Sequence, residues 1–231
     1  MNALSQSLRA AAGRGAIPVI PDFKRVSPKE GPLFAGRDPI SWARQLERAG
    51  APALSVVTEQ AHFGGSMALL ADICAAVSIP VLRKDFITGP DDLDATTAAG
   101  AQAILLICAC LPRDLLARLY RAALDRGLEP LVEAHTPEEL DFAGQLGAEL
   151  VGLNNRDILD LERDGGSVST TESLAARKPA GALLVSESGI LTPRDVRAAM
   201  RAGADAVLVG TAIWRAGDPE AAYRALCGAG R

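Results

Sequence analysis

Short apolar runs alternate along the chain with amphipathic stretches of helix length. The runs fall at 17–23, 53–57, 80–84, 103–108, 129–133, 150–154, 183–186 and 206–209. Each is largely apolar, without the in–out alternation of a strand that has one face in water. Such runs suit strands buried on both faces of a parallel sheet.

The stretches between them carry helix signals. Asp38 precedes Pro39 and a periodic segment to Arg48, which predicts an N-cap, a proline at the first helical position and a helix over 39–48. Thr136-Pro137-Glu138-Glu139 and Thr192-Pro193-Arg194-Asp195 read as capping boxes. Gly50, Gly100 and Gly203 each follow such a stretch, where a left-handed glycine would end the helix. Eight strand–helix units in 231 residues predict one (β/α)8 barrel, a single domain over 1–231. The competing open, doubly wound sheet would show a glycine-rich turn after its first strand, and Val19-Ile20-Pro21-Asp22-Phe23-Lys24 has no glycine.

Composition narrows the functions. With 48% hydrophobic, 23% charged and 4% aromatic residues, the chain has an ordinary globular profile and a mainly aliphatic core. A net charge of −4 and the lack of a basic run argue against nucleic acid as a partner. An anionic small molecule would need a locally positive pocket. Residues 1–16 do not resemble a signal peptide, and the longest apolar run, 103–111, is too short to span a bilayer. A cytoplasmic protein is expected, with homo-oligomerisation left open. Cys74, Cys108, Cys110 and Cys227 read as buried free thiols, and His62 and His135 lack the clustering of a metal site.

Catalytic groups of such barrels lie just beyond the strands. Asp22 and Lys24, Lys84, Glu133, and Glu187 stand at four strand ends, where charges next to apolar strands are costly unless paired or used. Ser188-Gly189 and Gly210-Thr211 follow the last two strands, where phosphate sites commonly form and small residues let backbone N–H groups approach an oxyanion.

Several segments also resemble indole-3-glycerol-phosphate synthases. Val19-Ile20-Pro21-Asp22-Phe23-Lys24-Arg25-Val26-Ser27-Pro28 is similar to the family's first-strand signature VIAEFKKxSPS. The resemblance continues in Leu54-Ser55-Val56-Val57-Thr58-Glu59, Pro80-Val81-Leu82-Arg83-Lys84-Asp85-Phe86-Ile87, Leu131-Val132-Glu133, Gly152-Leu153-Asn154-Asn155-Arg156-Asp157 and Val185-Ser186-Glu187-Ser188-Gly189-Ile190. It spans about 17–226.

The resemblance implies decarboxylating, dehydrating ring closure of 1-(2-carboxyphenylamino)-1-deoxyribulose 5-phosphate to indole-3-glycerol phosphate, a step of tryptophan biosynthesis, with neither metal nor organic cofactor. It implies Lys84 as the acid that meets the ketone oxygen and Lys24 as the holder of the substrate carboxylate. Glu133 and Asp22 would shuttle protons. Glu187, counted with the catalytic set, and Asn154 would bind ribulose hydroxyls and fix the lysines. Ser27, Ser188, Gly189, Gly210 and Thr211 would hold the phosphate, with Arg156 beside them, and Phe63, Phe86, Leu105 and Leu131 would wall the aryl ring.

Two departures stand out. Sixteen residues precede Ile17, so the family's N-terminal lid helix is expected to be short or absent, and Asp22 replaces the family's Glu. Both leave room for a specialised paralogue acting on a related N-aryl sugar phosphate. A non-catalytic sugar-phosphate-binding barrel is the alternative of another class.

Overall fold

The computed structural model describes residues 3–34, 36–156 and 167–228. The final Asp157 of the NNRD segment lies outside the described residues.

The barrel strands are β1 (Val19–Phe23), β4 (Leu54–Val57), β5 (Val81–Lys84), β6 (Ala103–Ile107), β7 (Glu129–Ala134), β8 (Leu150–Asn154), β9 (Leu183–Glu187) and β10 (Ala206–Val209). They close in the order β1-β10-β9-β8-β7-β6-β5-β4, and each pairing is parallel. This is the (β/α)8 barrel. A small antiparallel hairpin, β2 (Val26–Ser27) with β3 (Gly31–Pro32), interrupts the first strand-to-helix connection. Two-residue strands carry no periodicity, so no pattern in the sequence announces them.

Helix termini follow local chemistry. In α2 (Pro39–Arg48) the Asp38 carboxylate accepts the N–H groups of Ile40 and Ser41. In α8 (Pro193–Ala202) Thr192 and Asp195 form the full reciprocal box. The third start differs. Thr136 caps α6 (Pro137–Gln145), and the Glu139 carboxylate accepts the N–H of His135, one residue before the N-cap, at 2.6 Å. Gly50, Gly100 and Gly203 all take positive φ after their helices.

Alternation inside the barrel decides what faces the axis. Ile20, Ala53, Leu82, Ala103, Leu131, Leu150, Leu183, Val185, Ala206 and Leu208 share one interior cluster. The alternate residues Val19, Val56, Val81, Val132, Val151, Leu184 and Val207 pack outward against the helices.

The N-terminal helix α1 (Ala3–Gly13) joins the interior cluster through Leu4 and Leu8. Ser7 donates to the Pro52 carbonyl, and Arg9 to the Gly181 carbonyl. Those loops precede β4 and β9, so α1 seals the N-terminal end of the barrel, opposite the mouth. The Glu129 carboxylate accepts the Leu4 N–H at 2.8 Å and the Ser5 N–H at 3.2 Å. Burial raises the Glu129 carboxyl above its usual range, against the lowering effect of those N–H donors. The short helix is therefore a plug. Leu8→Ala should lower the unfolding free energy by about 2–5 kcal/mol and leave kcat unchanged. A fall in kcat at unchanged stability would place α1 over the mouth instead.

The cysteines correct one expectation. All four are free, but Cys110 is exposed and the others are only half-buried. Burial pushes the Cys74 thiol up to about 11 and, with the nearby Glu139 and Glu133 charges, Cys108 up to about 12.

Candidate active site

The inward positions that are apolar deep in the barrel become charged at the C-terminal ends of the strands. Leu82 is followed two residues later by Lys84, Leu131 by Glu133, Val185 by Glu187 and Ile20 by Asp22. A strand's two-residue period places all four side chains at the mouth. Glu133 and Glu187 have no exposure, and Asp22 and Lys84 are 3% and 8% exposed.

Lys84 joins the carboxylates. Its Nζ lies 3.5 Å from Glu133 Oε2 and 3.7 Å from Glu187 Oε2. Removing both acids from water would cost several kcal/mol each without a counter-charge, and one ammonium supplies it to both. Asp22 Oδ1 accepts from Ser55 Oγ at 2.7 Å, and its carbonyl accepts from Trp214 Nε1 at 2.6 Å. Lys24 Nζ stands 5.5 Å over the Phe63 ring, within range of a cation–π attraction.

Two cavities meet at Asp22, Lys24 and Lys84. The first, about 350 Å³, has walls of Val57, Phe63, Phe86, Leu105 and Ile107. The second, about 370 Å³, is bounded by Arg156, Ser188, Gly189, Gly210 and Thr211. One is mostly apolar. The other presents small residues and three cationic side chains against the single carboxylate of Asp22, the locally positive pocket an acidic protein needs for an anion.

The second cavity depends on two backbone features. Ser188 and Gly189 both have positive φ (61° and 70°), and a Cβ on Gly189 would come within 2.7 Å of the Ser167 carbonyl oxygen. Opposite them, Gly210 leads into the short helix α9 (Thr211–Trp214), whose first N–H groups have no acceptor within the helix. Asn155 ties this loop down: its Nδ2 donates to Ser186 Oγ and to the carbonyls of Glu187 and Ser188. Asn154 Oδ1 accepts the Arg156 N–H at 3.1 Å, while its buried Nδ2 has no hydrogen-bond partner among the described residues.

Most of the residues singled out from sequence thus meet at one mouth. Two stand apart. Leu131 is fully buried in the interior cluster below the cavities, and the Ser27 hydroxyl accepts the Glu30 N–H in the hairpin. Neither lines a cavity; nor do Glu133, Glu187 and Asn154, but the two acids meet Lys84 and Asn154 holds the Arg156 N–H.

Other contributors went unassigned in the sequence. Glu59 accepts the N–H groups of Ala61, His62 and Phe63, shaping the loop that carries Phe63. Burial opposes its charge, yet these bonds hold its carboxyl below the usual range. Arg83 points outward to Asp85, Asp92, Thr58 and Thr96, bracing the segment before Phe86. Gly152 faces Glu187 so closely that a Cβ would lie 2.0 Å from Oε1. A glycine inside a strand was the available signal, since it often marks a close approach.

A barrel mouth pairing an anion pocket with a lysine held between buried carboxylates defines a class: (β/α)8 enzymes that work on a phosphorylated small molecule by acid–base chemistry. The family model described as indole-3-glycerol phosphate synthase matches residues 1–226. Relatives of that name include one from Pyrococcus furiosus, 44% identical over 216 residues (94% of this chain, 92% of the relative). Another, from Thermococcus kodakarensis, is 43% identical over 223 residues, 96% of both chains. A third, from Streptomyces griseus, is 44% identical over 221 residues (95% and 81%).

The chain belongs to the indole-3-glycerol phosphate synthase family, and its activity is that of a carboxy-lyase of tryptophan biosynthesis. A solved 3-hexulose-6-phosphate synthase is similar at a TM-score of 0.73 with 17% identity, covering 92% of this chain and 99% of its own. That likeness shows the fold alone. No described helix is long and apolar enough to cross a membrane.

Proposed function

We propose that the mouth closes 1-(2-carboxyphenylamino)-1-deoxyribulose 5-phosphate into indole-3-glycerol phosphate, with the whole activity in one barrel domain in the cytoplasm. The observation that carries the assignment of roles is the Lys84 ammonium held between Glu133 and Glu187 at the junction of the two cavities. The aryl ring lies among Phe63, Phe86, Leu105 and Ile107, and the phosphate is held by Ser188-Gly189, Gly210-Thr211 and Arg156. That orientation sets the ketone between the cavities, beside Lys84.

Each step makes one electrostatic demand. As the carboxyl-bearing ring carbon attacks the ketone, negative charge grows on oxygen, and Lys84 donates to it in a water-poor site. Lys24, at the shared wall, holds the carboxylate until it leaves as carbon dioxide. Glu133 and Asp22 then move the protons of dehydration, while Glu187 and Asn154 hold the ribulose hydroxyls. None of these steps calls on a metal or an organic cofactor.

Steady-state conversion of this substrate to a fluorescent indole, without added metal, tests the reading. Tight substrate binding without turnover would favour a non-catalytic barrel. Asp22→Glu tests the nearest paralogue. Ser55 Oγ and Gly210 pack around the Asp22 carboxylate, so one more methylene carries the carboxyl about 1 Å further into the shared cavity. For the standard substrate, kcat/KM should stay level or rise. A fall of about tenfold, about 1.4 kcal/mol of transition-state stabilisation, with the fold intact would show a pocket rebuilt around aspartate.

A further inference from the structure

Glu133 has no exposure at all, yet the chemistry proposed above requires protons from solvent. The carboxylate leaves as carbon dioxide and its electron pair restores the aromatic ring. The ketone oxygen departs as water after gaining two protons, and one proton is lost from the methylene carbon next to nitrogen. Each turnover therefore takes up one net proton. With substrate filling the mouth, the supply needs another route.

The residue two positions beyond Glu133 offers one. His135 Nε2 lies 3.5 Å from Glu133 Oε1, on the opposite carboxylate oxygen from Lys84, and Nδ1 lies 3.5 Å from Glu139 Oε2. Side-chain exposure rises along this series, from 0% at Glu133 to 15% at His135 and 20% at Glu139. Outside the barrel a shallow groove lined by Thr136, Pro137, Ser169, Thr170 and Ser173 reaches the edge of the histidine ring, whose two nitrogens lie just beneath it. It shares no residue with either mouth cavity. The atypical start of α6 fits the same arrangement: Glu139 accepts the His135 N–H at 2.6 Å and so fixes the histidine backbone.

We infer that His135 relays protons from the outer groove to Glu133. This rests on the ring-closure reading above. The imidazolium, its Nδ1–H facing the Glu139 carboxylate, passes its Nε2 proton to Glu133 Oε1. A ring flip then turns the bare nitrogen toward the groove, where water reprotonates it, and no redox partner is involved. The charged and titratable groups around the pair are Lys84 and Glu187 on the barrel side, Glu139 on α6, and Cys108, Cys110 and Arg113 beyond β6. The carboxyl of Glu139 is held below its usual range by the His135 ring and backbone, in spite of its burial, so it stays an acceptor for the imidazole. His135 touches Glu133 and acts through it. It is a positioning and relay residue.

The test compares wild type with His135→Gln and His135→Ala on the standard substrate. His135→Gln keeps a polar side chain beside Glu133 but cannot carry a proton. Its kcat should fall about 100-fold, the lower end for a lost proton-transfer group, with KM little changed, and the fall should deepen as pH rises. His135→Ala should regain kcat when imidazole is added at constant pH, a recovery a purely structural histidine would not show. Should the glutamine variant fail to fold, the imidazole response of the alanine variant decides alone. Wild-type turnover with His135→Gln within twofold at every pH, or with His135→Ala indifferent to imidazole, overturns the relay. A wild type that does not turn over the substrate defeats the ring-closure reading itself.

Discussion

Lys84→Met is expected to lower kcat by about 100- to 1,000-fold, the usual cost of losing one preorganised donor to a developing oxyanion. Methionine keeps much of the stem and loses the charge. The aryl walls and the anion pocket stay in place, so KM should move far less than kcat. A second effect follows from the resting geometry. Lys84 is the shared counter-charge of Glu133 and Glu187, neither of which has any exposure. Removing one member of a buried ion cluster typically costs about 3–5 kcal/mol unless a carboxylate protonates.

In the variant at least one carboxyl would therefore have a folded-state pKa above its unfolded value. The folded state then binds more protons than the unfolded one, so the variant loses stability as pH rises from the unfolded carboxylate value through the raised folded one. Denaturant midpoints for wild type and variant should diverge as pH rises. Near-normal kcat would remove Lys84 as the acid, and a pH-independent stability difference would contradict its role as the shared counter-ion.

Gly152→Ala should be nearly as damaging to catalysis and far milder to the fold. The added Cβ would sit 2.0 Å from Glu187 Oε1 and 3.2 Å from Cδ, with Leu131 Cδ1 at an ordinary 3.6 Å. The clash is with the end of a side chain, so the backbone of β8 can stay in place while the Glu187 carboxylate moves. That motion pulls Oε2 from its place 3.7 Å from Lys84 Nζ. Displacements of about 1 Å in a catalytic mouth can cost about 100-fold in rate, and kcat/KM should fall by about that factor. Thermal unfolding should shift by only a few degrees. A variant with kcat/KM within threefold of wild type would mean that the position of Glu187 is not what Gly152 protects.

Much of this was legible from the sequence because barrel strands are buried on both faces and so appear as unbroken apolar runs. The strand at 150–154 and the helix over 39–48 have their expected ends. That Ser188-Gly189 and Gly210-Thr211 bound one pocket was legible because glycines after the last two strands have a restricted meaning. The same double burial hides which residues of a strand face the axis, and only the closed register shows that Leu105 lines a cavity while Leu131 lies beneath it. The N-terminal helix was hard for a related reason: Leu4 and Leu8 form an apolar stripe that would seal either end of a barrel. His135 looked like a lone histidine because its partners lie two and four residues away on either side of a strand-to-helix turn.

The central claim is that the two cavities bind one molecule, aryl end against Phe63 and Phe86, phosphate end against Ser188-Gly189 and Gly210-Thr211, with the ketone carbon at Lys84. A crystal structure with the substrate's ketone reduced to an alcohol, which blocks closure, measures this directly. The account predicts phosphate oxygens within hydrogen-bond distance of those four backbones and the alcohol oxygen within about 3 Å of Lys84 Nζ. An analogue bound end for end, or with its alcohol remote from Lys84, would contradict it.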